Sequence, residues 1–138
     1  NVPGGCVGAN CFLPAPSDQF KLVNHSPRKD EAEVKACRAV QGTFNAKVDE
    51  VSLSSAFSLE NTVSGAVTTA SSGGDLAFSE DGKAFRYRLS AGDMELNTTY
   101  HAEVNTDVAA ASDAGDLAGL RMATPRAWDF TTHTCRAC

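Results

Sequence analysis

The sequence predicts an all-β sandwich of about seven antiparallel strands, and three observations carry that expectation. Short segments of alternating apolar and polar residues recur from Gln19 onward, separated by polar breaks at fairly regular spacing. That is the pattern of half-buried strands in a sandwich or barrel. An Asp81-Gly82 pair sits between two such segments, where a tight hairpin needs residues that tolerate positive φ. The chain has 138 residues, 42% hydrophobic and 7% aromatic, which suits one ordinary core and leaves little room for a second.

Taken in order, residues 1–18 contain three prolines and no periodicity, and read as a loop-like N-terminal arm or linker. Residues 20–23 (FKLV) form a short first strand, ended by Asn24, His25, Ser26 and Pro27. Residues 30–38 have a helix-forming composition but support at most one turn, because Ala32, Val34 and Ala36 also alternate. Residues 37–44 form a strand with Val40 and Phe44 inward and Arg38 at the rim, so Cys37 faces away from the core. Residues 56–59 follow with Phe57 and Leu59 inward, and residues 65–68 make a weaker strand. The hairpin around Asp81-Gly82 places Leu76 and Phe78 on one face before the turn. After it, Phe85, Tyr87 and Leu89 point in and Arg86 and Arg88 point out. Tyr100, Ala102 and Val104 alternate inward, residues 107–125 form a long loop, and the last strand buries Trp128 and Phe130. The expected core is therefore Val40, Phe44, Phe57, Leu59, Phe78, Phe85, Tyr87, Tyr100, Val104, Trp128 and Phe130.

Charge narrows the function classes. The net charge is −5, and no basic run exceeds Arg28-Lys29, against both a nucleic-acid binder and a polybasic membrane surface. No stretch approaches the roughly 20 apolar residues that span a bilayer, and no signal-peptide pattern is present. The sequence opens on Asn1 without a methionine, as a processed form or an excised domain would. Five cysteines cluster at the ends: Cys6 and Cys11 in the arm, Cys37 alone, and Cys135 and Cys138 at the close. In an oxidising compartment such clusters act as staples for the termini. Two bridges among five cysteines allow 15 connectivities, and the reading is of an extracellular, secreted or cell-surface protein.

Two sets of motifs then carry a family resemblance. In the first half, Ser26-Pro27 is followed by Val40, Thr43, Phe44 and Asp49, and then by Phe57, Ser58 and Leu59. In the second half, Leu96, Thr99, Tyr100 and Val104 precede Asp113, Gly115, Asp116 and Leu117, and Trp128, Phe130, Thr131 and Thr132 close the set. Together these resemble a bacterial Ig-like domain of the type named after the S-layer protein SbsA, over residues 19–132. The resemblance implies an immunoglobulin-like sandwich with cysteine-bearing segments, 1–18 and 133–138, outside the family pattern. Tyr100, four residues after Leu96, suits a tyrosine corner, its ring inward and its hydroxyl on loop backbone.

No catalytic set emerges. His25, His101 and His133 fall in a turn, on an outward strand face and beside the terminal cysteines, and no nucleophile elbow accompanies them. The terminal Cys135–Cys138 pair with His133 could contribute three zinc ligands, the fourth then having to come from Cys37, Cys6 or Cys11. A redox pair lacks its βαβ setting and haem attachment its following His, so stapling is preferred. Asp107, Asp113 and Asp116 form an acidic loop whose oxygens would suit calcium, although the spacing is not that of an EF-hand. Asn24-His25-Ser26 and Asn97-Thr98-Thr99 match glycosylation sequons that matter only in a eukaryotic host. The expected role is a non-catalytic structural, spacer or adhesive module, with neighbouring domains of a larger protein as partners. The alternatives are a carbohydrate- or ligand-binding accessory module of an exported enzyme or ice-binding protein, taking a protein or glycan ligand, and a metal or redox role through the terminal cysteines.

Overall fold

The computed structural model describes residues 19–135. Nine strands lie in chain order: β1 (Leu22–Ser26), β2 (Glu31–Val34), β3 (Val40–Phe44), β4 (Phe57–Asn61), β5 (Val67–Thr68), β6 (Gly74–Phe78), β7 (Ala84–Leu89), β8 (Thr99–Val104) and β9 (Arg126–Thr132). One helix, α1 (Glu50–Ala56), precedes β4. The strands form a four-stranded sheet, β1-β3-β7-β6, and a five-stranded sheet, β2-β9-β8-β4-β5. The all-β sandwich expected from the sequence is what the chain builds.

Between them the inward faces supply a chain of rings. Phe20 stacks on Phe44 at 5.1 Å, Phe44 meets Phe85 at 5.9 Å, and Phe57 touches both Phe85 (5.3 Å) and Tyr87 (4.8 Å). Tyr100 stacks on Phe130 in the other sheet. Such ring pairs add about 0.5–1.5 kcal/mol each beyond the area they bury. Val40, Phe44, Phe57, Leu59, Phe85, Tyr87, Tyr100, Val104, Trp128 and Phe130 are all buried. Phe78 departs from the expected core: it is half-buried, because β6 is the outermost strand of its sheet among the described residues.

Three further expectations are corrected. Strands number nine among the described residues instead of about seven; β5 falls within the weaker strand expected at residues 65–68, and the strand not expected is β2, whose four residues are too few to show a clear alternation. Residues 31–34 form a strand, not a turn of helix, and β2 pairs parallel to β9, so the sheets are not wholly antiparallel. The chain crosses from one sheet to the other just before β2, where Asp30 takes φ 59°. Glu31 fixes this crossing by accepting from the Arg28 N–H (2.8 Å) and from the Arg38 guanidinium, which also reaches the Ser26 hydroxyl. Third, residues 50–56 were not expected to be helical. Helix α1 is one amphipathic stretch, burying Leu53 and Ala56 and leaving Val51 exposed. Its two buried residues are i, i+3 neighbours on one face.

The long loop at 107–125 is a packed segment. Ala109 and Arg121 form an isolated bridge, Ala110 bridges to Val48, and Val108, Ala110 and Met122 are buried. The chain therefore enters the sandwich near Phe20, at the end where β3 finishes and β9 starts. Arg126 marks that end by donating to the Leu22 carbonyl at 2.9 Å. It leaves at the opposite end, where the His133 N–H donates to the Val34 carbonyl and the His133 carbonyl accepts from Asn97.

Candidate functional site

The chemistry-bearing side chains gather in four places. On the outer face of the five-stranded sheet, strand register puts Glu60, His101 and Asp129 in one row across β4, β8 and β9. His101 Nδ1 lies 2.5 Å from Asp129 Oδ1, and its Nε2 lies 3.4 Å from Glu103, two residues along the same strand. The Asp129 hydrogen bond holds the His101 pKa above its ordinary value; partial burial opposes this, and Glu103 adds to it. A carboxylate stands near each ring nitrogen, an arrangement that favours the protonated imidazole.

His25 lies on the inner side of β9, reached from β1. Its ring stacks on Trp128 at a 3.8 Å centroid distance, and its Nδ1 is 2.8 Å from the Pro27 carbonyl. Desolvation lowers its pKa, the Pro27 hydrogen bond offsets part of that, and the Arg126 charge lowers it further. This flat pair closes the gap between β1 and β9, where the two sheets have no shared strand. Trp128 Nε1 is buried there without a hydrogen-bond partner. At the exit end, His133 Nδ1 accepts from the Cys135 N–H at 2.8 Å, and the Cys135 thiol is exposed and free.

The acidic loop spreads its carboxylates over separate partners. Asp113 accepts from Lys47 at 2.9 Å, Asp107 approaches Arg121 at 3.8 Å, and Asp116 sits in a 3-10 turn, Gly115–Leu117. Among the described residues, no group of three His, Cys, Asp or Glu side chains is placed to hold a metal ion. Of the cysteines singled out in the sequence, Cys37 is half-buried and not free, while Cys6, Cys11 and Cys138 lie outside the described residues.

Tyr100 carries the corner expected of it: its ring is buried, and its hydroxyl accepts from the Glu95 N–H at 2.8 Å. The same corner holds Asn61, whose side-chain N–H donates to Glu95 at 2.8 Å. Thr132 Oγ1 adds a donation to the Glu95 carbonyl at 2.6 Å. Sequence reasoning missed the His101–Asp129 pair. The alternation put His101 outward, but only the register of β8 against β9 shows that an aspartate faces it.

The sequence profile described as bacterial Ig-like domain matches residues 16–132. No curated protein matches the sequence. Among solved structures, the N-terminal part of the bacterial S-layer protein SbsC superposes with a TM-score of 0.55 at 16% identity, covering 83% of this chain and 24% of that one. CopC from Methylosinus trichosporium OB3b gives a TM-score of 0.57 at 13% identity, covering 83% of this chain and 94% of its own. The chain thus spans about a quarter of the SbsC fragment, and at these identities both likenesses concern the fold alone. With the profile running through nearly the whole described sandwich, the chain belongs to the bacterial Ig-like domain family.

Proposed function

We propose that this domain is a non-catalytic structural spacer of an exported or cell-surface bacterial protein, joined to neighbouring domains at its two ends. One observation carries the reading: the chain enters the sandwich beside the start of β9 and leaves it beyond the end of β9. Strand β9 has seven residues, so entry and exit are separated by at least ~20 Å along one strand axis. Domains wired in this way stack end to end and add length. The partnered histidines fit a role without turnover, and so does the likeness to units of the larger S-layer protein SbsC. The motif pattern of residues 19–132 supports an SbsA-type reading within the family. A disulfide at Cys37, whose thiol is not free, fits an oxidising, extracellular setting.

The test is replacement in the parent protein. Residues 19–132 are exchanged for an unrelated Ig-like unit with the same entry-to-exit span, and surface display and the parent's activity are measured. A spacer tolerates the exchange; loss of activity with display intact overturns the reading. So does saturable binding of a glycan to the isolated domain with a Kd below ~10 µM.

A further inference from the structure

The four edges of the two sheets are not alike. Strand β1 is interrupted by a register shift between Leu22 and Asn24. Strand β2 is irregular between Glu31 and Val34, with Glu33 at φ 57°. Strand β5 is two residues long. These are devices by which sheet proteins refuse further strands. Strand β6 has none of them. It pairs with β7 in unbroken register over five residues, Gly74 to Phe78, and among the described residues it ends the sheet. It contains no proline or lysine, and its inward side chains Leu76 and Phe78 are only half covered.

Hydrogen-bond parity shows which groups this edge offers. The Ser79 N–H donates to the Ala84 carbonyl and the Ser90 N–H to the Gly73 carbonyl, both in the β6–β7 register. Odd-numbered residues therefore face β7, and Gly74, Leu76 and Phe78 turn their N–H and C=O groups outward from the edge. We propose that this edge pairs antiparallel with β6 of a second copy of the chain, centred on Leu76 opposite Leu76, to give one continuous eight-stranded sheet.

The side chains fit that register. Gly74 falls opposite Phe78, and the pairs centred on Leu76 are those that exchange two main-chain bonds, ~six in all. On the outer face, Asp75 falls opposite Ala77 of the other copy, so no like charges stand directly opposite; the two Asp75 side chains are diagonal neighbours at ~7–8 Å. Ala77 is flanked by Arg86 on β7 and lines a surface hollow with Gln41 and Arg86. Asp75 of the second copy then sits one strand beyond Ala77, ~10 Å from the Arg86 backbone and within reach of an extended arginine across that small residue. The twofold axis makes this contact twice. The arrangement is isologous and closes at two copies, and it stands whether or not the spacer reading holds.

Analytical ultracentrifugation of the full chain in a Cys135→Ser background, which removes dimers linked through the Cys135 thiol, tests it. Expected is a reversible dimer with a Kd between ~10 µM and ~1 mM, weakened by salt. Hydrogen exchange should slow with concentration at the Leu76 and Phe78 amides and not at those of Asp75 and Ala77, which β7 already holds. Ala77→Glu places a carboxylate opposite Asp75 and should weaken the dimer at least ~10-fold. Because Ala77 is exposed, its urea midpoint should stay unchanged. A chain monomeric at ~1 mM overturns the proposal, and so does a dimer protected elsewhere or indifferent to Ala77→Glu. Protection at Leu76 and Phe78 that appears only on adding a foreign extended peptide overturns the choice of a second copy.

Discussion

Gly74→Ala should be among the most costly single-methyl additions in this protein. An added Cβ at Gly74 would lie 2.0 Å from the Tyr87 hydroxyl oxygen, 2.1 Å from Cζ and 2.4 Å from Cε1. The ring has nowhere to retreat. Tyr87 is 1% exposed and packs on Phe57 at 4.8 Å, and its hydroxyl donates to Thr68 Oγ1 at 2.6 Å. Overpacking a filled core costs about 1–3 kcal/mol, and displacing the hydroxyl from Thr68 adds about 1 kcal/mol. The expected loss is therefore about 2–4 kcal/mol, or roughly 1–2 M in urea midpoint for m near 2 kcal/mol/M. The only tryptophan, Trp128, is buried and serves as the fluorescence probe. The reasoning ties the whole cost to one ring, so in a Tyr87→Ala background the same change should cost almost nothing. A loss below about 0.5 kcal/mol, or one that adds in full to Tyr87→Ala, would refute it.

Three further outcomes follow from the same contacts. Tyr100→Phe keeps the ring on Phe130 but strips the acceptor from the Glu95 N–H, and should cost about 1 kcal/mol in urea unfolding. Trp128→Ala removes the wall between β9 and His25 and should cost about 3–5 kcal/mol; the titration of His25, followed by NMR, should then rise toward its ordinary value. His101 sets a pH dependence. Its folded pKa is raised above the unfolded value near 6.5, so its contribution is fully present below pH 6.5 and is lost as pH rises through the folded pKa. Exposure of Asp129 and Glu103 keeps that contribution to at most ~1 kcal/mol. His25, with its pKa lowered, acts in the opposite sense, so the clean measurement is wild type minus Asp129→Asn across pH 5–8; a difference that does not vary with pH would contradict the assignment.

The parts of this fold that were legible in the sequence are those whose burial is decided locally. Residues 84–89 alternate without interruption, so Phe85 and Tyr87 could be placed inward before any partner strand was known. The same holds for Tyr100, Ala102 and Val104 on β8. What stayed hidden depends on a distant neighbour. Strand β2 exists because β9, nearly a hundred residues later, offers it a parallel edge, and its own four residues carry two exposed positions in sequence. Gly74 lies before Leu76, where the alternation of this strand becomes readable, yet it begins β6, and the Tyr87 ring fills the space a side chain there would take. Helix α1 is too short for its period to separate from that of a strand. The His101–Asp129 pair is a matter of register, and register is not written in either strand alone.

The parallel β2–β9 pair also bears on what such a domain can withstand. An edge strand at the exit would be held by one ladder, and tension would load that ladder alone. Here β2 crosses over and makes β9 internal, held by β8 on one side and β2 on the other. Tension directed along β9 at the exit end therefore loads two ladders together and in shear. At the entry end β1 has only β3 as a ladder partner, but Arg126, the first residue of β9, grips the Leu22 carbonyl at 2.9 Å. The first and last strands are thus tied directly to each other, although they belong to different sheets. The crossover that blunts one side of the sandwich is the same feature that joins its two ends mechanically. The open strand edge is left on the opposite side, at β6, where a lateral contact would not interrupt the path between the ends.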